Sequence, residues 1–363
     1  MSNNREYRRI VLILNHWRSD RRRLTSIITF TLSVTLGFCI LISLGWGAAS
    51  DVDLIAALFN PIFKSDVSPR DLIILWEIRM PRVLLASLVG ASLAVSGAIL
   101  QGLFRNPLAD PGIVGVSAGA GMGAVIAIVL GNLLPIFVRN LLGAYLVPLF
   151  AFTFAWLSTI LLYRVATRHG RTSVATMLLA GIALGALSGA ITGILVYTAD
   201  DNQLRDITFW GMGSIAAATW GKLITAGPMI IIALLFAPLI AKSLNALTLG
   251  EASAQHLGIN VQFMKRFSIL LVAVSVGASV AVTGGIGFVG IVVPHLLRLI
   301  QGPEHKGLFI NAALLGAIML ILADAVSRTI ISPAELPIGI ITAIIGGPFF
   351  IWILLRNRGV IDL

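Results

Sequence analysis

Charge is scarce in this chain: Asp, Glu, Lys and Arg make up only 12% of its 363 residues, against roughly 25% in a typical soluble domain. Hydrophobic residues make up 57%, and mean hydropathy is +0.95. These values exclude an ordinary soluble domain and leave an integral membrane protein. Cysteine is nearly absent. Cys39 stands alone, so an internal disulfide and a cysteine metal cluster are excluded, and the redox compartment is left open. The histidines, His16, His169, His256, His295 and His305, include no pair at metal-ligand spacing, so no metal site is assigned. A nucleotide-binding loop of the form GxxxxGK[ST] is missing, as is a Ser or Cys nucleophile with a base beside it. No residue is assigned a catalytic role or a cofactor, and any use of ATP and Mg falls to another chain.

Long apolar runs are what the sequence has instead. A helix needs about 20 apolar residues to cross the hydrocarbon core. Ten runs qualify: Leu24 to Gly45, Val83 to Phe104, Ile113 to Leu134, Leu141 to Tyr163, Val174 to Tyr197, Leu223 to Ala241, Phe267 to Gly284, Ile286 to Ile300, Leu308 to Ile330 and Leu336 to Leu355. The eighth is the weakest, cut short by Arg298 and interrupted by Pro294. The expected fold is an all-α polytopic membrane protein with ten transmembrane helices.

Basic residues orient those helices. The net charge of +10 lies in the short connections, where membrane topology explains it better than nucleic acid does. With ten spans, 18 Lys and Arg fall on the side of the termini and 8 on the other, so both termini are expected in the cytoplasm. Arg5, Arg8, Arg9, Arg18, Arg21, Arg22 and Arg23 precede an apolar run too long for a signal core and without a cleavage site. Residues 1–23 therefore read as a retained basic cytoplasmic tail, 24–356 as one permeating domain and 357–363 as a cytoplasmic C-terminus. On the outer side, 46–82 is a long acidic connection ending in IRMPR, and a short mouth helix is expected over about 203–216.

Gly90 to Ile99 reads GASLAVSGAI and Gly277 to Ile286 reads GASVAVTGGI, at an offset of 187. Five crossings separate the copies, so they run in opposite directions, which is the pattern of an inverted repeat. Convergent packing of small residues is the competing explanation. Gly181, Gly185, Gly189 and Gly193 recur every fourth residue in the fifth span, giving either close helix packing or a smooth pathway wall. Within the spans, Asp324 is the one charged candidate. Arg328 follows four residues later, and a structural ion pair is expected in preference to a proton relay.

Thr248 to Asn260, TLGEASAQHLGIN, is a polar insert between spans six and seven. Gly250 and Glu251 open a short helix with the acid at its favourable end, and Gly258 closes it. Asn260 is an N-cap for a second short helix through Arg266. The result is a cornered pair of helices, 248–266, on the cytoplasmic side.

Several motifs together resemble the permease subunits of type II ATP-binding-cassette importers, the FecCD type that takes up iron siderophores, haem or vitamin B12. They are IRMPR (78–82), SGAILQGLFRNPLADPGIVGVSAGAG (96–121), LGEASAQHLGI (249–259), GGIGFVGIVVPHLLR (284–298), ADAVSR (323–328) and ELPIGIITAIIGGPFFIWILL (335–355). The resemblance implies a homodimer in the bacterial inner membrane, with its pathway lined by the fifth and tenth spans. It also implies two ATPase subunits, which bind the ATP and Mg, and one periplasmic binding protein. In this resemblance Gly250, Glu251, Ala252, Gln255, Leu257 and Gly258 couple to the ATPase, and Arg79, Arg82 and Arg328 meet acidic residues of the binding protein. Haem is favoured as cargo by the TFWGMGS run (208–214) and general similarity, with a ferric siderophore or vitamin B12 as the alternatives. An ion-coupled secondary transporter is the competing class, permitted by the repeat but disfavoured by a single, self-paired membrane acid.

Overall fold

A computed structural model describes residues 3–45, 68–168, 171–331 and 334–356. The acidic part of the first outer connection and the C-terminal residues 357–363 lie outside the described residues. The helices are α1 Asn3–Gly45, α2 Pro69–Phe104, α3 Val116–Leu130, α4 Ile136–Leu142, α5 Leu146–Ala166 and α6 Val174–Thr198. They continue as α7 Asp201–Gly211, α8 Trp220–Leu247, α9 Glu251–His256, α10 Val261–Thr283, α11 Val289–Gln301, α12 His305–Thr329 and α13 Ile338–Arg356. Between α5 and α6, β1 (Thr167–Arg168) and β2 (Arg171–Thr172) form a small antiparallel hairpin, with Thr167 opposite Thr172.

All ten apolar runs are helical, because a chain in hydrocarbon must satisfy its backbone polar groups internally. Eight of these helices are long and apolar enough to cross a membrane. The eighth and tenth runs are shorter apolar helices, Val289–Gln301 and Ile338–Ile353. In α11 the cause is local. The stretch Gly284 to Phe288 takes left-handed backbone at both ends, and Gly302 (φ 89°) stops the helix on the other side.

The core lies around α2, which packs on α8, α10, α11 and α12. Glycine allows these approaches: a Cβ at Gly90 would collide with the Gly316 carbonyl of α12, and one at Gly97 with the Gly290 backbone of α11. The repeat is visible in the contacts. Ser92 of α2 and Ser279 of α10 occupy the same place in the two copies, and the Ser279 hydroxyl donates to Ser92 Oγ at 2.8 Å. Equivalent glycines also meet equivalent helices. Gly90 faces α12, the fourth span of the second half, while Gly277 faces Phe152 and Ala155 of α5, the fourth span of the first.

The mouth helix differs from expectation in its bounds. α7 starts early because Asp200 and Gln203 form a reciprocal capping box, and it ends at Gly211 rather than at 216. Beyond it Gly213 turns left-handed (φ 69°) against the Gly285 backbone, and its carbonyl accepts from Gly339 N–H at 3.3 Å. Three chain segments meet there, with the backbones of Gly213, Gly285 and Gly339 in close approach.

These packing differences predict opposite effects for the same substitution. Gly97→Ala forces a methyl group into backbone and is expected to cost about 1–3 kcal/mol. Gly37→Ala, on the open face of α1 with nothing within 4 Å, is expected to gain about 0.5–1 kcal/mol through helix propensity. Thermal unfolding of the detergent-solubilised protein measures both.

Candidate functional site

The corner after α8 forms much as the sequence predicts. Gly250 (φ 100°) opens α9, Gly258 (φ 81°) follows it, and Asn260 Oδ1 accepts from Phe263 N–H at 3.0 Å. One expectation is corrected: Val261 to Arg266 is not a separate short helix but the first two turns of α10, because nothing between Arg266 and Phe267 breaks the helical run. The corner is therefore one short helix set against the end of a span.

Ala252, Gln255, Leu257 and Gly258 are exposed, while Gly250 and Glu251 are half-buried. Leu249 and Leu257 are 66% and 63% exposed. On a polar knob outside the spans, these are two bare leucines that the described residues leave uncovered. Glu251 points inward to Lys265 Nζ at 2.7 Å. Lys265 is only 2% exposed and also donates to the Thr172 carbonyl at 2.8 Å. The sequence places Lys265 in the short helix that Asn260 caps but gives no sign of its burial beyond its apolar neighbours Met264 and Phe267.

At the other end of the bundle, Arg79, Arg82 and Arg328 come together with Asp324. The reading that put Arg79 and Arg82 in an outer connection is corrected, since both lie within the continuous α2. A π-helical stretch, Ile74–Arg79, carries the helix back through IRMPR. Arg82 holds Asp324 through Nε and Nη2 at 2.9 Å and reaches Glu335 Oε1 from Nη1 at 3.0 Å. The expected Asp324–Arg328 pair is present at 3.2 Å, but Asp324 serves two arginines. Arg328 Nη2 also donates to Ser43 Oγ at 2.8 Å, and Arg79 Nη1 to the Leu44 carbonyl at 2.6 Å. All four of these charged side chains are buried, and Glu335 is the half-exposed member of the cluster. The paired geometry is what makes burial tolerable, since an unpaired charge there would cost several kcal/mol. Sequence reading missed Glu335, eleven residues beyond Asp324 and past the end of its helix.

The glycine series of α6 divides. Gly181 is buried, whereas a Cβ at Gly185, Gly189 or Gly193 would meet nothing within 4 Å. Among the described residues, nothing packs against this face. By contrast, Gly119 and Gly123 of α3 lie tight against Phe150, Phe154 and Ser158 of α5. Among the described residues no group of three His, Cys, Asp or Glu side chains gathers as a metal site. A further polar junction went unread: buried His305 contacts Asn245 Oδ1 through Nδ1 at 2.6 Å and faces Arg298, joining the ends of α8, α11 and α12.

Comparison with known proteins gives a match to the FecCD transport family over residues 34–356. The chain is 43% identical over 325 residues to the hemin transport system permease protein HmuU of Yersinia pestis, covering 89% of this chain and 96% of that one. It is 42% identical over 288 residues to the cobalamin import system permease protein BtuC of Halobacterium salinarum, covering 79% and 74%. A solved structure described as an inward-facing, metal-chelate type ABC transporter superposes with a TM-score of 0.79 at 32% identity, covering 91% of this chain and 99% of that one.

The charged cluster gives a graded prediction. Asp324→Asn leaves buried Arg328 without its carboxylate and Arg82 with Glu335 alone, and is expected to destabilise the protein by about 3 kcal/mol or more. Glu335→Gln, at a half-exposed position, is expected to cost under ~1 kcal/mol. Denaturant unfolding in detergent, followed by tryptophan fluorescence, separates the two.

Proposed function

This chain belongs to the FecCD transport family, and from that premise we propose that it carries haem inward across the cytoplasmic membrane as one half of a homodimer. It is a multi-pass permease of an ABC importer, a class that works with ATPase and substrate-binding partners. The observation that carries the mechanical reading is the corner at α9. Its exposed Leu249 and Leu257, beside Ala252, Gln255 and Gly258, suit insertion into a cleft on each of two ATPase subunits, which would bind ATP and Mg. The excess of basic residues on that side supports a cytoplasmic corner and cytoplasmic termini.

At the opposite end, Arg79, Arg82 and Arg328 are the proposed contacts for a periplasmic binding protein. Their existing partners make this an exchange: an incoming acid would displace half-exposed Glu335 from Arg82, a bidentate partner for a bidentate partner. The bare face of α6 at Gly185, Gly189 and Gly193 suits a smooth wall facing a second copy across the pathway. Haem is preferred for its likeness to the hemin permease, whose length the chain nearly covers. Vitamin B12 or a ferric siderophore is the second reading, favoured by the cobalamin relative. An ion-coupled carrier is disfavoured because Asp324 is held by two arginines.

Reconstitution in liposomes with the ATPase and binding protein is expected to give ATP-dependent uptake of haem exceeding that of a ferric siderophore or cobalamin. Uptake that persists without the ATPase and stops when the ion gradient is collapsed would overturn the importer reading. Leu257→Asp is expected to abolish ATPase co-purification while leaving the permease folded by circular dichroism. Retained association would remove the corner from the interface.

A further inference from the structure

We propose that Lys265 is a positioning residue that locks the α9 corner to the base of α6, so that a displacement of the corner moves the pathway helix directly. The inference rests on the permease reading above and adds a route for motion within the chain.

Three elements, one of them 93 residues away in sequence, meet at one ammonium group. Lys265 sits in the second turn of α10 with 2% of its surface exposed. It donates to Glu251 Oε1 at 2.7 Å, in the first turn of α9, and to the Thr172 carbonyl at 2.8 Å, at the end of β2. Gln262, one turn earlier on the same face of α10, accepts from Thr172 N–H at 2.9 Å. The backbone N–H and the carbonyl of Thr172 are thus both held by α10. The next residue, Ser173, is the N-cap of α6, with its hydroxyl accepting from Thr176 N–H at 3.3 Å. From the corner to the first turn of α6, every link is a hydrogen bond or a peptide bond.

The chemistry suits a lock better than simple packing. Burying an ammonium group is costly unless it is paired and hydrogen-bonded, and an apolar residue of the same length would fill the space without that cost. What lysine adds is reach to two acceptors on two elements. Shifting α9 alone would break the ion pair and leave the charge buried. Shifting α9 together with the first turns of α10, β2 and the base of α6 keeps every contact. The second motion is therefore the cheaper one, and it ends at the helix whose Gly185, Gly189 and Gly193 face is open.

The test uses the full complex of permease, ATPase and binding protein in liposomes, with whichever of haem, a ferric siderophore or cobalamin the wild type takes up. The readout is cargo imported per ATP hydrolysed. Lys265→Met is expected to lower that ratio at least tenfold, with hydrolysis per assembled complex within about twofold of wild type. Lys265→Arg, which can reach both acceptors, is expected to recover at least a third of the ratio. If hydrolysis and uptake fall together in proportion to assembled complex, or if the ratio is unchanged, Lys265 is not a lock. Should Lys265→Met not assemble, Gln262→Met keeps the lysine while releasing the Thr172 N–H. A ratio at least threefold below wild type supports the lock, and an unchanged ratio overturns it. A wild-type complex without ATP-dependent uptake of any of the three would instead overturn the importer reading itself.

Discussion

The bundle depends on the crossing of α2 and α10, where Ser92 and Ser279 hydrogen-bond from matching places in an inverted repeat. Lipid is as apolar as leucine, so helices in a membrane gain little from apolar burial and associate through close packing and polar contacts. An interhelical polar contact averages only about 0.6 kcal/mol in such settings. The serines thus fix register more than they supply stability. The stability comes from the glycines around them, which bring α2 against the backbones of α11 and α12. With α2 so enclosed, α6 can leave its own glycines bare at the edge of the chain.

Buried charge is placed at both ends of this frame and does different work at each. At one end Arg82, Asp324, Arg328 and Glu335 join α2 and α12 to the segment that leads into α13. At the other, Lys265 joins α9 and β2 to α10. In both places a half-exposed glutamate, Glu335 or Glu251, is the member that a protein outside the membrane could reach. The middle of the bundle is held by small residues and the ends by ion pairs.

Much of this was legible in the residues. Apolar run length located the helices, since a membrane leaves the backbone few alternatives. The repeat was readable because both copies must present the same small residues to a shared crossing. Gly250, Gly258 and Asn260 announced the corner through backbone requirements that hold in any context. The failures share a cause: hydropathy assigns a charged residue to a loop, whereas a partner far along the chain can bring it into a helix. Arg82 was misplaced because its acids Asp324 and Glu335 lie 242 and 253 positions away, and Arg79 because its acceptors are the carbonyls of Leu44 and Gly45 at the end of α1. The burial of Lys265 went unread because one of its acceptors, the Thr172 carbonyl, belongs to the hairpin before α6, 93 positions away. The second short helix after Asn260 was drawn too short because a capping residue marks where a helix begins and carries no information about where it ends.

The shortness of α11 has a consequence for the chain around it. Thirteen residues span about 20 Å at 1.5 Å per residue, against a hydrocarbon core about 30 Å thick. The remaining depth is covered by the non-helical Gly284 to Phe288, and such backbone persists within a membrane only where protein or water surrounds it. Here the backbones beyond α7 supply part of that cover. The polar backbone of this stretch is therefore met at that depth by another part of the chain, and the short span is completed by protein where its neighbours are completed by their own helical turns.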